Sequence, residues 1–456
     1  MKGRNVQIRN YILDLLESGT LRRGEKLPGA RKIAQDLNCS FTHVQAVVES
    51  LVQCGVLRTV PRNGTYVDEE WHHRILPYNL AIYSAERIGV LNEVADKAGK
   101  KLGLRRCSQF QHGAAEIRVS HYLLSHHDEY LDLSTAFREC FGDGEEFYIH
   151  ALKEFYVNGR LCGIPIVFSP RVIFYNTDLF KRFNCPAPKS DWTWEEFLDT
   201  IRRLKKHMPP HLIFNWESGI HSFNTFFLRA GCNFFDPDDK YRPRFSSDEG
   251  IRQFERYVEL RELLEITGFQ QNPAFLEQFC NADAAMMCSG RQLIYYLNNY
   301  HKSCNIAAVK LPSFPGGRDI NLQGADLLCI RKSCTDSGIV KGLLKNILSE
   351  SIQNHIASRN YAIPFRKSSA AKTLDPASGY DSALMEEIPK ISASYNIFSP
   401  IIYSMIGNGC ARIYTMPKEK IADEVRELGK AVEVMMKIEQ FGEKHFNYYN
   451  VRTLNS

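Results

Sequence analysis

Thr42, His43 and Gln45 lie within four residues of one another and carry groups that can read the edges of base pairs. A glutamine amide meets adenine bidentately, and threonine and histidine can donate or accept. The chain around them says how they would be held. Val44, Val47, Val48 and Leu51 recur at helical spacing, so residues 41–54 read as a helix whose other face is Thr42, His43, Gln45 and Ala46. Ser40 is a suitable N-cap, and Gly55 a suitable stop. Upstream, Ile33, Ala34 and Leu37 share a face of a helix over 29–37, and Asn38 tolerates the left-handed turn that follows. A first helix carries Ile8, Ile12, Leu15 and Leu16 and ends at Gly19. Downstream, two short strands flank Pro61-Arg62-Asn63-Gly64, and Asn-Gly is a strong hairpin signal. Arg62 at that tip is placed to meet a phosphate or the minor groove. Two helices with a tight turn, then a hairpin, make a winged helix-turn-helix, and double-stranded DNA its expected partner.

Charge supports that expectation. Residues 1–67 hold 10 Lys and Arg against 5 Asp and Glu, a net of +5. The rest of the chain holds 47 of each, a net of zero. The whole positive excess sits on the small module, where it would attract phosphates. The 13 cysteines are scattered and form no CxxC pair, so free thiols in a reducing compartment are expected rather than a zinc site or disulfide framework. No stretch has the apolar length of a membrane span, and the N-terminus lacks an apolar signal core. A cytoplasmic protein with no membrane partner is therefore expected.

Three segments carry a family pattern: Leu27-Pro28-Gly29-Ala30-Arg31, Cys39-Ser40-Phe41-Thr42-His43-Val44-Gln45, and Asn63-Gly64-Thr65-Tyr66-Val67. In order and spacing they resemble the GntR family of bacterial transcription regulators. The resemblance implies a DNA-backbone contact at Arg31, recognition positions at Ser40, Thr42 and His43, and wing contacts at Arg62, Asn63 and Gly64. Phe41 and Gln45 stand where the family carries arginines and belong to the same candidate interface. Their presence predicts an operator unlike the family norm.

Beyond a polar break at Asp68-Glu69-Glu70 the chain changes character. We divide it as a winged helix over 1–70, a linker over 71–77 and a second domain over 78–456. Strand-like segments at 78–84, 163–167 and 171–175, and a strand end at 131–135, alternate with helical ones at 87–101 and 145–155. This pattern predicts an α/β domain with largely parallel sheets. Its length suits two lobes. Gly163-Ile164-Pro165, Tyr175-Asn176-Thr177-Asp178-Leu179-Phe180, Thr193-Trp194-Glu195-Glu196-Phe197, Ala282-Asp283-Ala284-Ala285-Met286, Leu311-Pro312 and Ile363-Pro364-Phe365-Arg366 follow in order. Thr193 and Glu196 make a capping box. Together these segments resemble the extracellular solute-binding proteins of bacterial ABC importers, in the group that binds sugars. That resemblance implies a bilobed, periplasmic-binding-protein type II-like domain, an interlobe crossing near Tyr175-Asn176, and a packed turn at Ile363-Pro364.

Sugar sites use flat aromatic faces together with charged or amide groups for paired hydroxyls. Candidates at strand ends and loops are Ser84, Glu86, Thr135, Ser169, Arg171, Trp216 and Glu217. The resemblance adds Gly290, Arg291, Gln323 and Asp326. Arg171 or Arg291 could instead hold an anion bidentately. His121, His126, His127 and Asp128 lack the spacing of a metal site and read as solvated surface. No hydrolase, metalloprotease or P-loop motif occurs, so no catalytic residue, metal or cofactor is expected. Winged helices of this type are also found joined to an aminotransferase-like domain that holds pyridoxal phosphate, but no lysine-bearing loop suits it. A solute-binding protein without a regulatory role is a further alternative. The sequence thus predicts a multi-domain chain, a winged helix-turn-helix followed by a bilobed α/β domain. Its expected work is to regulate transcription as a homodimer on operator DNA in response to a small molecule, a sugar or oligosaccharide.

Overall fold

Apolar residues at helical spacing and two short strands give the first domain its shape. Helices α1 (Lys2–Glu17), α2 (Ala30–Asp36) and α3 (Phe41–Gln53) enclose a core of Ile8, Ile12, Leu16, Ile33, Val44, Val47 and Leu51. The computed structural model describes residues 2–74, 76–83, 89–107, 113–216, 219–236, 239, 242–266, 273–298, 304–393 and 399–453. Asn38 takes the left-handed conformation (φ 47°), and the Ser40 hydroxyl accepts from the His43 N–H to cap α3. Strands β1 (Leu57–Val60) and β2 (Gly64–Val67) pair antiparallel, with Val60 opposite Gly64. The hairpin loop is therefore Pro61–Asn63, one residue shorter than the sequence indicates. Arg62 (φ 63°), not Asn63, is the left-handed residue. Gly64 joins the strand at φ 115°, where a Cβ would meet the Lys26 Cε at 2.8 Å.

The segment expected as a linker is packed. Trp71 opens a 3-10 turn, Trp71–His73, and is buried in the winged-helix core, as is Leu76. Leu76 also begins the next strand, so the chain passes directly from one domain to the other.

Among the described residues, twelve further strands follow. The first are β3 (Leu76–Ile82), β4 (Arg105–Cys107), β5 (Gly113–Val119), β6 (Tyr156–Val157), β7 (Arg160–Leu161) and β8 (Ile164–Pro170). The rest are β9 (Val172–Asn176), β10 (Phe214–Trp216), β11 (Met286–Ser289), β12 (Ile306–Val309), β13 (Gln323–Ile330) and β14 (Ile363–Pro364). One sheet runs β14-β8-β13-β5-β3-β4 and the other β10-β11-β9-β12, while β6 and β7 form a small hairpin. Each large sheet has its own core. Leu80, Ile117, Ile166, Phe168, Leu328 and Ile330 lie in the first, and Ile173, Trp194, Phe197, Phe214, Met286 and Val309 in the second.

The sheets are mixed, not largely parallel. Among the described strands, β3·β4, β3·β5 and β10·β11 are the parallel pairs. β8 and β9 follow one another with a single residue between them and carry the chain from one sheet to the other. β13 then returns to the first sheet antiparallel to both β8 and β5. Three local readings also change. Residues 131–133 lead into the helix Ser134–Phe141 rather than ending a strand, with Asp132 accepting from the Ser134 N–H and the Leu161 N–H. The helix expected at 145–155 is a 3-10 turn, Ile149–Phe155. Ile363–Pro364 is a strand against β8. The Thr193–Glu196 capping box forms as expected. Two long helices, Pro400–Tyr414 and Ile421–Thr453, close the second lobe. Among the described residues no helix is long and apolar enough to cross a membrane.

Candidate functional site

The nucleic-acid face is built on α3. Burying Val44, Val47 and Leu51 turns Phe41, Thr42, Gln45 and Ala46 outward, and all four are exposed. His43 is half-buried, its Nδ1 2.5 Å from the Ser40 hydroxyl. Arg31, Arg62, Asn63 and Gly64 are exposed. On the wing, Arg58 and Lys26 lie over the Tyr66 ring, at 5.6 and 5.9 Å from its centroid.

Behind that face, α1 is fastened to the first lobe. Arg105 in β4 donates to both carboxylate oxygens of Glu17 and to Asp14, each at 2.5 Å. Arg9 donates to the Gly103 carbonyl at 2.6 Å and lies 4.0 Å over the Tyr78 ring of β3. Burial and the neighbouring Cys54 push the Tyr78 phenol above its ordinary range, which keeps it neutral.

The lobes meet at three crossing segments, pinned by one side chain. Asn321, fully buried, accepts from the Arg171 N–H (2.9 Å) and donates to the Arg171 carbonyl (2.7 Å). Its backbone bonds to Lys390 and Ser392. The Asn321 amide also donates to Glu387, which receives Lys390 and Arg229 as well. Arg229 bonds in turn to the Pro312 and Ile320 carbonyls and to Asp319. The interlobe crossing is thus at Arg171, ahead of Tyr175-Asn176. Asn176 instead caps the next helix by accepting from the Asp178 and Leu179 N–H groups.

Six of the candidate ligand residues gather at this crossing. Ser169 accepts from the Arg291 N–H at 2.8 Å. Ser169 and Gly324 are partners across β8 and β13, and a Cβ on Gly324 would meet the Arg171 guanidinium at 2.8 Å. A Cβ on Gly290 would come within 2.9 Å of the Ser169 hydroxyl. Most of the polar groups here are engaged internally. Arg291, 1% exposed, donates bidentately to Asp381 (2.8 and 3.1 Å), to Asn360 and to the Thr373 carbonyl. Gln323 donates to the Ala151 carbonyl, and Asp326 accepts from the Tyr361 hydroxyl at 2.7 Å. Such side chains brace the crossing, because each hydrogen bond they make within the protein must be broken before a ligand can use it. Thr135 is exposed on the helix Ser134–Phe141 of the first lobe. Trp216 ends β10, but its side chain lies outside the described residues, as do Ser84, Glu86 and Glu217 altogether.

A second group of side chains lies on the first lobe beside one contact with the second, and the sequence reading did not assemble it. The Arg118 guanidinium sits between the Tyr83 and Tyr122 rings, 3.1 and 3.9 Å from their centroids, and donates to buried Glu116. His121 of the first lobe stacks on Tyr403 of the second, with ring centroids 6.0 Å apart and planes at 11°. Burial holds the His121 imidazole below its usual range, and burial with Glu116 pushes the Tyr83 phenol up, so both are neutral near neutral pH. Arg118 already covers a face of each tyrosine, and His121 and Tyr403 cover one another, so a ligand reaches these faces only where the groups part. His126 stacks on Tyr122 at 4.0 Å instead of facing solvent. Among the described residues, the one group with metal-ligand spacing is Glu70, His72 and His73, within 4.8 Å on the turn after the wing. All 13 cysteines are free.

Residues 122–385, more than half of the chain, match the family described as bacterial extracellular solute-binding protein. The chain belongs to that family. Residues 5–67 match the bacterial regulatory proteins of the gntR family, so a GntR winged helix precedes a solute-binding domain. No curated protein matches the sequence. Solved structures with the same fold include maltose-bound MalE3 of T. maritima, with 16% identity and a TM-score of 0.60, covering 80% of this chain and 99% of that one. UgpB of Mycobacterium tuberculosis, in complex with glycerophosphocholine, has 13% identity and a TM-score of 0.65 over 80% and 99%. The sugar-binding protein MalE of Xanthomonas citri has 14% identity and a TM-score of 0.63 over 81% and 99%. A solute-binding domain leaves the aminotransferase-like alternative without a domain to carry it.

Proposed function

We propose that this chain is a cytoplasmic transcription regulator that binds operator DNA through residues 1–70 and senses a sugar or related metabolite between the lobes of residues 78–456. The observation that carries the reading is the fusion itself, a GntR winged helix on a solute-binding domain within one chain. A sugar as effector is supported by the facing rings of His121 and Tyr403 and by the Arg118 guanidinium between two tyrosines. The solved relatives named above include proteins bound to or named for sugars. Candidate ligand contacts are these residues together with Ser84, Glu86, Thr135, Trp216 and Glu217. Ser169, Arg171, Gly290, Arg291, Gln323 and Asp326 shape the crossing on which closure turns.

The route from ligand to DNA follows from what is fastened to what. The winged helix is held by Arg105 and Arg9 to the first lobe, and the lobes are joined at the Asn321 hinge. Closure of the second lobe about that hinge moves it against a winged helix that rides with the first. A homodimer on a palindromic operator turns that motion into a change of half-site spacing. Self-association through the second lobe is supported by Ile401, Val434 and Ile438. They are 52%, 58% and 57% exposed, on helices joined by a Ser399–Glu439 hydrogen bond. Ligand shifts DNA affinity only by its unequal affinity for the open and closed states.

The test is thermal unfolding of the full chain against a panel of mono- and oligosaccharides. A sugar at about 100 times its Kd stabilises the folded state by about 2.7 kcal/mol, a readily measured rise in Tm. If no saccharide or phosphorylated sugar raises the midpoint, the sensor reading fails.

A further inference from the structure

The outward face of α3 is unusual for a DNA reader in what it lacks. Phe41, Thr42, Gln45, Ala46 and Glu49 are exposed and share one face by helical spacing. The helix, FTHVQAVVESLVQ, contains neither lysine nor arginine. Phe41 is its first residue, with 42% exposure, which is costly for a phenyl ring that meets only water. The domain's exposed cations lie elsewhere: Arg4 on α1, Arg22, Arg23 and Lys26 between α1 and α2, Arg31 and Lys32 on α2, and Arg58 and Arg62 on the hairpin.

Each base pair presents its own groups in the major groove. Guanine is read by the forked donors of arginine or by lysine, and adenine by the glutamine or asparagine amide. Thymine is read by apolar contact with its methyl group. The N-terminal residues of a recognition helix are the ones that reach base edges. On α3 the exposed ones among those positions offer a phenyl ring, a threonine methyl and hydroxyl, an alanine methyl and one amide, while His43 is half-buried with its Nδ1 taken by the Ser40 hydroxyl. Glu49 could accept from cytosine, but it lies two turns further along the helix. Cations set off the recognition helix can grip phosphates, and phosphate contacts carry no sequence information.

We infer that α3 reads A·T base pairs. Phe41, Thr42 and Ala46 pack on thymine methyls and Gln45 takes an adenine edge, while Arg31, Arg58 and Arg62 hold the backbone. The inference rests on the DNA-binding reading of the preceding section and assigns the class of operator that the domain recognises.

The experiment selects binding duplexes from a random pool with the full-length protein. The affinity of a selected duplex is then compared with that of a copy in which uracil replaces thymine. This exchange removes only the C5 methyl group. The selected half-sites are expected to be A·T-rich, and each contacted methyl lost to weaken binding about four-fold. A G·C pair placed at the Gln45 position weakens binding about 5- to 150-fold. Phe41→Ala lowers affinity for the selected duplex and shrinks the uracil penalty, with an unchanged thermal midpoint showing that the exposed ring was not needed for folding. Half-sites that fix G·C pairs under α3, or a uracil penalty that Phe41→Ala leaves whole, overturn the assignment. Failure to bind any duplex at low salt is a different result, because it removes the DNA-binding reading as well.

Discussion

Replacing Arg105 with alanine should uncouple the winged helix from the solute-binding domain. Arg105 is 10% exposed as a side chain, and its partner Glu17 is 23% exposed, so this pair is largely out of water. Asp14 is 67% exposed and adds little. Hydrogen bonds to charged groups contribute roughly 1.5–3 kcal/mol each, and they are not additive within one bidentate pair. A loss of about 2 kcal/mol in docking raises the undocked fraction about 30-fold. Arg9 on the Gly103 carbonyl and Tyr78 remains, so docking weakens without vanishing. Calorimetry of the wild type should show the winged helix melting with the first lobe. In Arg105→Ala it should separate as an earlier transition, and Glu17→Ala should reproduce the effect. The double variant should be little worse than either single one, because both remove the same pair. One unaltered cooperative transition in Arg105→Ala, or fully additive losses, would refute the docking argument.

Three further outcomes follow from the same geometry. Glu116, fully buried, receives Arg118, Arg331 and the Tyr130 hydroxyl, so Glu116→Gln leaves Arg118 without its counter-charge and Arg331 with Glu129 alone, and should cost about 3 kcal/mol in denaturant unfolding. Burial raises the Asp319 carboxyl, but the Lys390 hydrogen bond and the charges of Arg229 and Lys390 outweigh it and hold it below its usual range. A depressed carboxylate stabilises the fold above its unfolded pKa and loses that contribution as pH falls through the folded value. The stability deficit of Asp319→Asn should therefore be full at neutral pH and shrink below the ordinary carboxylate range, whereas a deficit constant with pH would contradict the assignment. Ile438→Glu should shift the proposed homodimer toward monomer in light scattering and weaken operator binding; a monomeric wild type, or a mass that the substitution leaves unchanged, would contradict self-association through this face.

The local features of this chain could be read from its sequence because local chemistry sets them. Asn38 in the left-handed turn, Ser40 capping α3 and the Thr193–Glu196 box each involve neighbours within a few residues. The winged helix was legible for that reason, down to the exposed Phe41 and Gln45. The lobes were legible only through an ordered set of short motifs, and their sheet directions were not. Alternation of strands and helices hides that β8 runs straight into β9 and that β13 returns beside β8 from far along the chain. The site suffered most. Arg291 looked like a ligand contact, yet its guanidinium is satisfied by Asp381, 90 residues away. His121 is exposed, as expected, but its facing of Tyr403 from a distant helix could not be read. Nothing in the near neighbours of Asn321 marks it as the pin of three crossing segments. Such roles arise from contacts between distant residues, which no periodicity encodes.

The central claim is that one chain couples a metabolite to operator DNA. Its most direct test is a fluorescence-anisotropy titration of the full-length protein on its own upstream DNA, with and without the saccharide that most raises its thermal midpoint. The account predicts salt-sensitive binding whose affinity changes about 5- to 150-fold when that saccharide is present. Binding that is identical with and without a sugar known to occupy the second domain would contradict it.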